Sequence, residues 1–168
     1  MTTTYATPLK TSRPEGIAWS TMPVWFHLAT FVYFATNIFN GWAVVQFRAP
    51  VIATGLVLFG LIGGFLEHIS PYFPALYITP RLEKILFRGP TVVGVLLVGL
   101  SLKLAWFVMA AFLLQSILFL REKPLTSMEP RFHIQHVFGT HLFGALWGYV
   151  LLLATSGHIP ALNFLLAR

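Results

Sequence analysis

The chain has 168 residues, 57% of them hydrophobic and 10% charged, where soluble domains run near a quarter charged, so an ordinary water-soluble domain is excluded. Its formal charge of +6 comes from eleven basic residues set singly or in small groups between apolar runs. They read as membrane-topology signals rather than a phosphate-binding surface, which argues against a nucleic-acid partner.

Residues 1–20 form a polar tail in which Pro8 and Pro14 favour an extended path, and which lacks the apolar core of a signal peptide. The remainder, 21–168, reads as a single transmembrane helical domain, because a bilayer-spanning helix needs about 20 mostly apolar residues and such stretches fill it. The first span is expected over Thr21–Val45, with Pro23 near its start and Trp25 and Trp42 at the two bilayer interfaces. After Gln46-Phe47-Arg48, Ala49–Ile69 makes a second span, whose Gly60 and Gly64 form a GxxxG pair suited to close helix packing. Ser70–Pro80 carries Pro71, Pro74 and Pro80 among Tyr72, Phe73 and Tyr77, the pattern of an aromatic interfacial loop.

Arg81–Arg88 then reads as a short amphipathic helix resting on the membrane surface. Gly89–Leu120 as one helix would be about 48 Å long, too long for a hydrocarbon core of about 30 Å. A hairpin with Lys103 at its tip resolves this and leaves two short arms. A polar segment, 121–132, precedes a last span over His133–Thr155, where Gly144 and Gly148 make a small-residue stripe suited to helix packing. Gly157-His158-Ile159-Pro160 ends that span before a short apolar tail.

The fold class expected is therefore all-α, a polytopic transmembrane helical bundle of four to five spans. With five, Lys10, Arg13, Arg81, Lys84, Arg88, Arg121, Lys123 and Arg131 fall on one side and only Arg48, Lys103 and Arg168 on the other. With four the asymmetry largely disappears. The charge bias favours five spans and an N-terminus on the positive side, whether cytoplasmic, matrix or stromal.

Ionisable groups inside a membrane are costly, so each carries a functional expectation. There is no aspartate, and four of the five glutamates fall in segments that read as polar. Glu67, at the end of the second span, is the exception. It suits either an interfacial carboxylate paired with Lys84 or Arg81, or a ligand for an ion, a proton or a pigment. With the topology above, His27, Glu67, His68, His133 and His136 share one layer of the membrane, and His141 lies one to two turns deeper. Imidazoles so placed can ligate haem iron or chlorophyll magnesium or hydrogen-bond a quinone. Zinc is not expected, since His133 and His136 form an HxxH pair without further ligands. The chain has no cysteine, and GxSxG, Walker and HExxH motifs are absent too, so no catalytic residues are expected.

Between residues 50 and 120 the sequence resembles the COPI-associated Golgi membrane proteins of late-Golgi vesicles. The matching residues are Phe59-Gly60-Leu61, Phe65-Leu66-Glu67, Pro71-Tyr72 and Arg88-Gly89. The resemblance implies a small four-helix membrane bundle without catalytic activity. Three functions follow as expectations. The first is a non-catalytic accessory subunit of a respiratory or photosynthetic membrane complex, with other membrane subunits and lipids as its partners and haem, chlorophyll or quinone as candidate ligands of its histidines. The second is a Golgi or vesicle membrane protein. The third is a small ion channel or transporter using Glu67.

Overall fold

The computed structural model describes residues 23–69, 78–122 and 134–167. Five apolar helices account for most of them: α1 (Val24–Gln46), α2 (Val51–Ile69), α3 (Arg81–Ser101), α4 (Trp106–Arg121) and α5 (Ile134–Thr155). A 3₁₀ helix, Pro160–Leu165, follows. The chain is an all-α bundle, because a backbone surrounded by hydrocarbon must satisfy its own N–H and C=O groups and a helix does so within one segment. Four of the helices are long and apolar enough to cross a membrane, the mark of an integral membrane protein. The fifth, α4, has 16 residues and is about 24 Å long. The aromatic loop expected over 70–80 lies almost entirely outside the described residues.

The hairpin at Lys103 is present, linking α3 to α4, but its first arm is longer than expected. Arg81–Arg88 is not a surface connector; it forms the first two turns of α3. Its amphipathic pattern is turned inside out. Leu82, Ile85 and Leu86 face outward, while Glu83 and Arg88 are only 5% and 2% exposed. The sequence pattern fixes that one face is polar but not which way it points, and here opposite charges neutralise each other inside the bundle.

Two tight turns at the far end of the bundle are closed by basic residues in the left-handed region, Arg48 at φ 51° and Lys103 at φ 53°. At the second, the Lys103 N–H donates to Leu100 O and the Leu104 N–H to Gly99 O, capping the end of α3. A side chain at such a φ costs about 1 kcal/mol relative to glycine. Lys103→Gly is accordingly expected to raise stability by up to about 1 kcal/mol, a gain of a few degrees in detergent melting. A drop in melting temperature would show that the lysine side chain itself holds the turn.

α2 packs on α3 through glycines. A Cβ on Gly60 would fall 1.6 Å from the Thr91 hydroxyl, one on Gly63 2.0 Å from Phe87 Cγ, and one on Gly94 2.9 Å from the backbone N of Val57. A Cβ on Gly64 would instead meet the Tyr33 hydroxyl on α1 at 2.3 Å. The expected GxxxG pair is therefore split, with Gly60 facing α3 and Gly64 facing α1. α1 also packs along α5, where a Cβ on Gly148 would lie 3.8 Å from Ala43 Cβ and Asn40 Oδ1. The far end is closed by the C-terminal segment, which folds back: Ala105 N–H donates to Leu165 O (2.8 Å) and Ala167 N–H to Lys103 O (2.6 Å). Leu165 and Leu166 are thereby buried against Leu104, Val108, Leu151 and Ala154. The five helices surround an axial cavity.

Candidate functional site

At the end of the bundle opposite these turns, three helices converge on the guanidinium of Arg88. Residues Lys84–Arg88 form a π-helical turn, whose wider i→i+5 spacing sets Glu83 and Arg88 on one face. Arg88 Nε donates to Glu83 Oε1 at 2.7 Å, and Nη2 donates to Glu67 Oε1 on α2 at 3.3 Å. Nη1 donates to the carbonyls of Phe119 (3.0 Å) and Glu122 (3.2 Å) at the C-terminal end of α4, where the last carbonyls run out of i→i+4 partners. The guanidinium also lies over the Phe119 ring, 5.2 Å from its centroid. One buried cation thus ties α2, α3 and α4 together, and it sits favourably at the negative end of the α4 dipole.

A second π-helical turn, Val137–Leu142, does the same on α5. It brings His136 and His141, again five apart, to an Nε2–Nε2 distance of 3.0 Å. His136 Nδ1 lies 2.7 Å from Glu122 Oε2, close enough for an ion pair when the imidazole is protonated. Glu122 Oε1 accepts a hydrogen bond from the Thr140 hydroxyl at 2.9 Å. His68 shares its Nδ1 with Gly64 O at 3.0 Å and stacks on Tyr33, with ring centroids 3.3 Å apart. His141 meets the other side of that stack edge-on at 4.4 Å from Tyr33. Single π turns inside α-helices are rare and often mark functional sites, and here both of them border one cluster.

Burial pushes the Glu122 carboxyl up, but His136, the Thr140 hydroxyl and Arg88 outweigh burial and hold it below the usual carboxylate range. A carboxylate with a depressed folded pKa stabilises above its unfolded value of about 4.3, and that contribution is lost as pH falls through the folded value. Melting curves in detergent should therefore show wild type above Glu122→Gln at neutral pH, with the gap closing below about pH 4. A gap that persists at low pH would mean that the carboxylate's charge is not what matters.

Of the residues expected to share one layer, Glu67, His68 and His136 do, and His141 joins them. Glu67 pairs with Arg88 rather than with Lys84 or Arg81. His27 does not belong: it is exposed on the outer face of α1, with its ring 6.2 Å from that of Phe26. His133 lies outside the described residues. Arg88, Glu83, Glu122, Tyr33 and Thr140 complete the cluster without having been singled out from sequence. The one available signal was Arg88 standing directly against the apolar run that opens at Gly89. Among the described residues, no group of three or more histidine, aspartate or glutamate side chains is arranged to hold a metal ion.

Below the cluster runs a cavity of about 240 Å³ lined by all five helices. Its charged end is formed by Glu67, Glu83, Arg88, His136 and His141, its middle includes Asn37, Gln115 and Ser116, and its far end is closed by Phe47, Leu102 and Leu104. Its volume is below the about 300–1,000 Å³ of pockets for drug-sized ligands. Both ring nitrogens of His136 already lie within 3.0 Å of Glu122 or His141, so a haem or chlorophyll bond there would have to displace one of them. No protein-family model, curated protein or solved structure matches this chain.

Proposed function

We propose that the chain is a non-catalytic subunit of a larger membrane complex, and that its axial cavity holds a small hydrophobic molecule by that molecule's polar end. The cavity carries this reading. It is bounded by every helix of the bundle, apolar along most of its length and charged at one end, the arrangement that receives an amphiphile or the head of a quinone-like molecule. The donors of Arg88 and the ring nitrogens of His136 are engaged by protein groups, which suits holding and orienting rather than acid–base turnover. Intramembrane charges placed against a cavity are expected to serve a bound species. The N-terminus is assigned to the positive side. Arg88 is buried and no longer counts as a loop charge, yet the remaining basic residues keep the same bias.

Purification from the native membrane in mild detergent tests the assembly, with particle mass and visible spectrum recorded together. The expected result is a colourless particle well above the 18.8 kDa chain in its micelle. A lone chain would overturn the subunit reading. Gly144→Leu tests the cavity. Gly144 lines it, and a Cβ there meets nothing within 4 Å, so a leucine has room to enter. The variant is expected to keep the wild-type fold while its co-purified hydrophobic molecules, counted by native mass spectrometry, fall at least tenfold, about 1.4 kcal/mol of affinity. Unchanged occupancy would place the ligand elsewhere.

A second reading, a vesicle membrane protein of the COPI-associated type, is favoured by one observation. Two of the residues that carry the resemblance meet in space, since Glu67 pairs with Arg88, and Gly60 packs against Phe87 and Thr91 on either side of Arg88-Gly89. Recovery of the chain in late-Golgi fractions without a stable partner would support it.

A further inference from the structure

We propose that the middle of the cavity binds an uncharged ring carrying oxygen atoms on opposite edges, a quinone or quinol, held between Asn40 of α1 and Gln115 and Ser116 of α4. This rests on the reading of the cavity as a ligand pocket and names where the ligand's polar end sits and which chemistry selects it. On α4, Phe112, Gln115, Ser116 and Phe119 recur at helical spacing and line the cavity, while Leu113, Leu114, Ile117 and Leu118 are 42–60% exposed on the other face. On α1 the matching inward stripe is Tyr33, Asn37, Asn40 and Val44. At 1.5 Å per residue Asn40 lies about 10 Å beyond Tyr33, whose ring stacks on His68, and Gln115 about 10 Å short of Glu122, which pairs with His136. The three side chains therefore share one tier, below the charged cluster and inside the hydrocarbon. α1 packs on α2 and α5, and α4 packs on α3, so the two polar walls face each other across the cavity rather than through a helix contact.

Asn37 donates to Tyr33 O at 3.0 Å, but among the described residues the side chains of Asn40, Gln115 and Ser116 make no hydrogen bond. Ser116 is only 7% exposed and lines the cavity, yet its hydroxyl is not one of the polar atoms sealed in the interior, so it opens on that space. Asn40 reaches the same space from α1, with its Oδ1 beside Gly148 of α5. An amide or hydroxyl left unpaired in hydrocarbon is costly, and polar side chains placed within a span against a cavity call for a polar guest.

The character of the tier selects the guest. Amide and hydroxyl groups offer donors and acceptors but no charge, and every ionisable side chain lining the cavity belongs to the cluster above. An ion seated in the middle would lie in hydrocarbon without a counter-charge, whereas carbonyl or hydroxyl oxygens are matched there. A single hydroxyl reaches one wall; a ring with oxygens on opposite edges reaches both. Val57, Val95, Val98 and Leu151 border the cavity and suit the apolar faces of such a ring. The volume equals that of about eight waters at about 30 Å³ each, room for one ring and a few further atoms.

The test is equilibrium dialysis of the full chain in maltoside micelles, with empty micelles as the blank, against duroquinone and against hexamethylbenzene, which has the same shape with a methyl in place of each oxygen. Wild type is expected to take one duroquinone at least about tenfold more tightly than hexamethylbenzene. Asn40→Leu and Gln115→Leu should each bring the two compounds within about threefold while changing hexamethylbenzene binding by less than about twofold. Equal affinity of wild type for the two, the result if water alone serves the tier, overturns the inference and leaves the cavity as a ligand pocket. A quinone preference that survives both substitutions puts the ring at the charged end and overturns it too. If neither compound binds, the pocket reading fails and this inference fails with it. Should a leucine variant not fold, the wild-type ratio and its loss in Ser116→Ala decide.

Discussion

Arg88→Met is expected to be the most damaging polar substitution in the chain, at about 3–5 kcal/mol, enough to leave little folded protein in detergent at 37 °C. The loss does not measure how much the ion pairs stabilise the native bundle. It measures what remains when the guanidinium goes: the Glu83 and Glu67 carboxylates, 7% and 12% exposed at the side chain, and the terminal carbonyls of α4, all without their donor. Arg88→Lys is not a remedy, because a single ammonium cannot replace a planar fork that reaches four acceptors on three helices. Rescue should instead come from removing the charges. The triple variant Glu67→Gln, Glu83→Gln, Arg88→Met is expected to recover at least half of the lost stability, since a buried ion-pair network replaced as a whole is often near neutral. Thermal unfolding in detergent, followed by tryptophan fluorescence, measures both variants. If Arg88→Met melts within a degree or two of wild type, the cluster does not hold the bundle together.

The parts of this structure legible in the sequence are those governed by hydrocarbon. Apolar runs of the right length became α1, α2 and α5 within a few residues, and the length limit alone placed a turn at Lys103. The polar interior was harder to read. Arg81–Arg88 has the same pattern whether its charged face meets water or the bundle axis, and only the positions of Glu67 and the α4 carbonyls decide between them. Glu83 sits in a stretch that reads as a surface helix and Glu122 in one that reads as a polar segment, so their place in the bundle left no mark in local composition. The histidines divide for a related reason. Helical spacing puts His68 and His136 in one layer but His141 one to two turns deeper, whereas His141 lies against His136, and it does not fix the rotation that sends His27 outward. The i, i+5 pairs were invisible to any α-helical template, because the π turns that align them depart from 3.6 residues per turn.

Glycine substitutions along α2 should separate two roles that its composition cannot distinguish. Gly55 faces open space, with nothing within 4 Å of an added Cβ. Gly55→Ala is therefore expected to stabilise by up to about 1 kcal/mol through helix propensity. Gly63→Ala adds the same methyl to the same helix two turns on and should destabilise by about 3 kcal/mol. The added carbon would lie 2.0 Å from Phe87 Cγ and 2.4 Å from Phe87 Cβ. A ring can swing aside, but a Cβ is fixed to its backbone, so α3 itself has to move. α3 cannot move freely either, because Gly94 already brings it against the backbone of α2 and Arg88 holds its first turns to Glu67. Phe87→Ala alone leaves a void and is expected to cost about 3 kcal/mol or more. In the Gly63→Ala, Phe87→Ala double variant the new methyl stands where the ring was, so its cost should fall below the sum of the singles by at least 1 kcal/mol. Strict additivity would show that α2 and α3 tolerate separation at this level, and the close glycine packing would then not be what sets the distance between them.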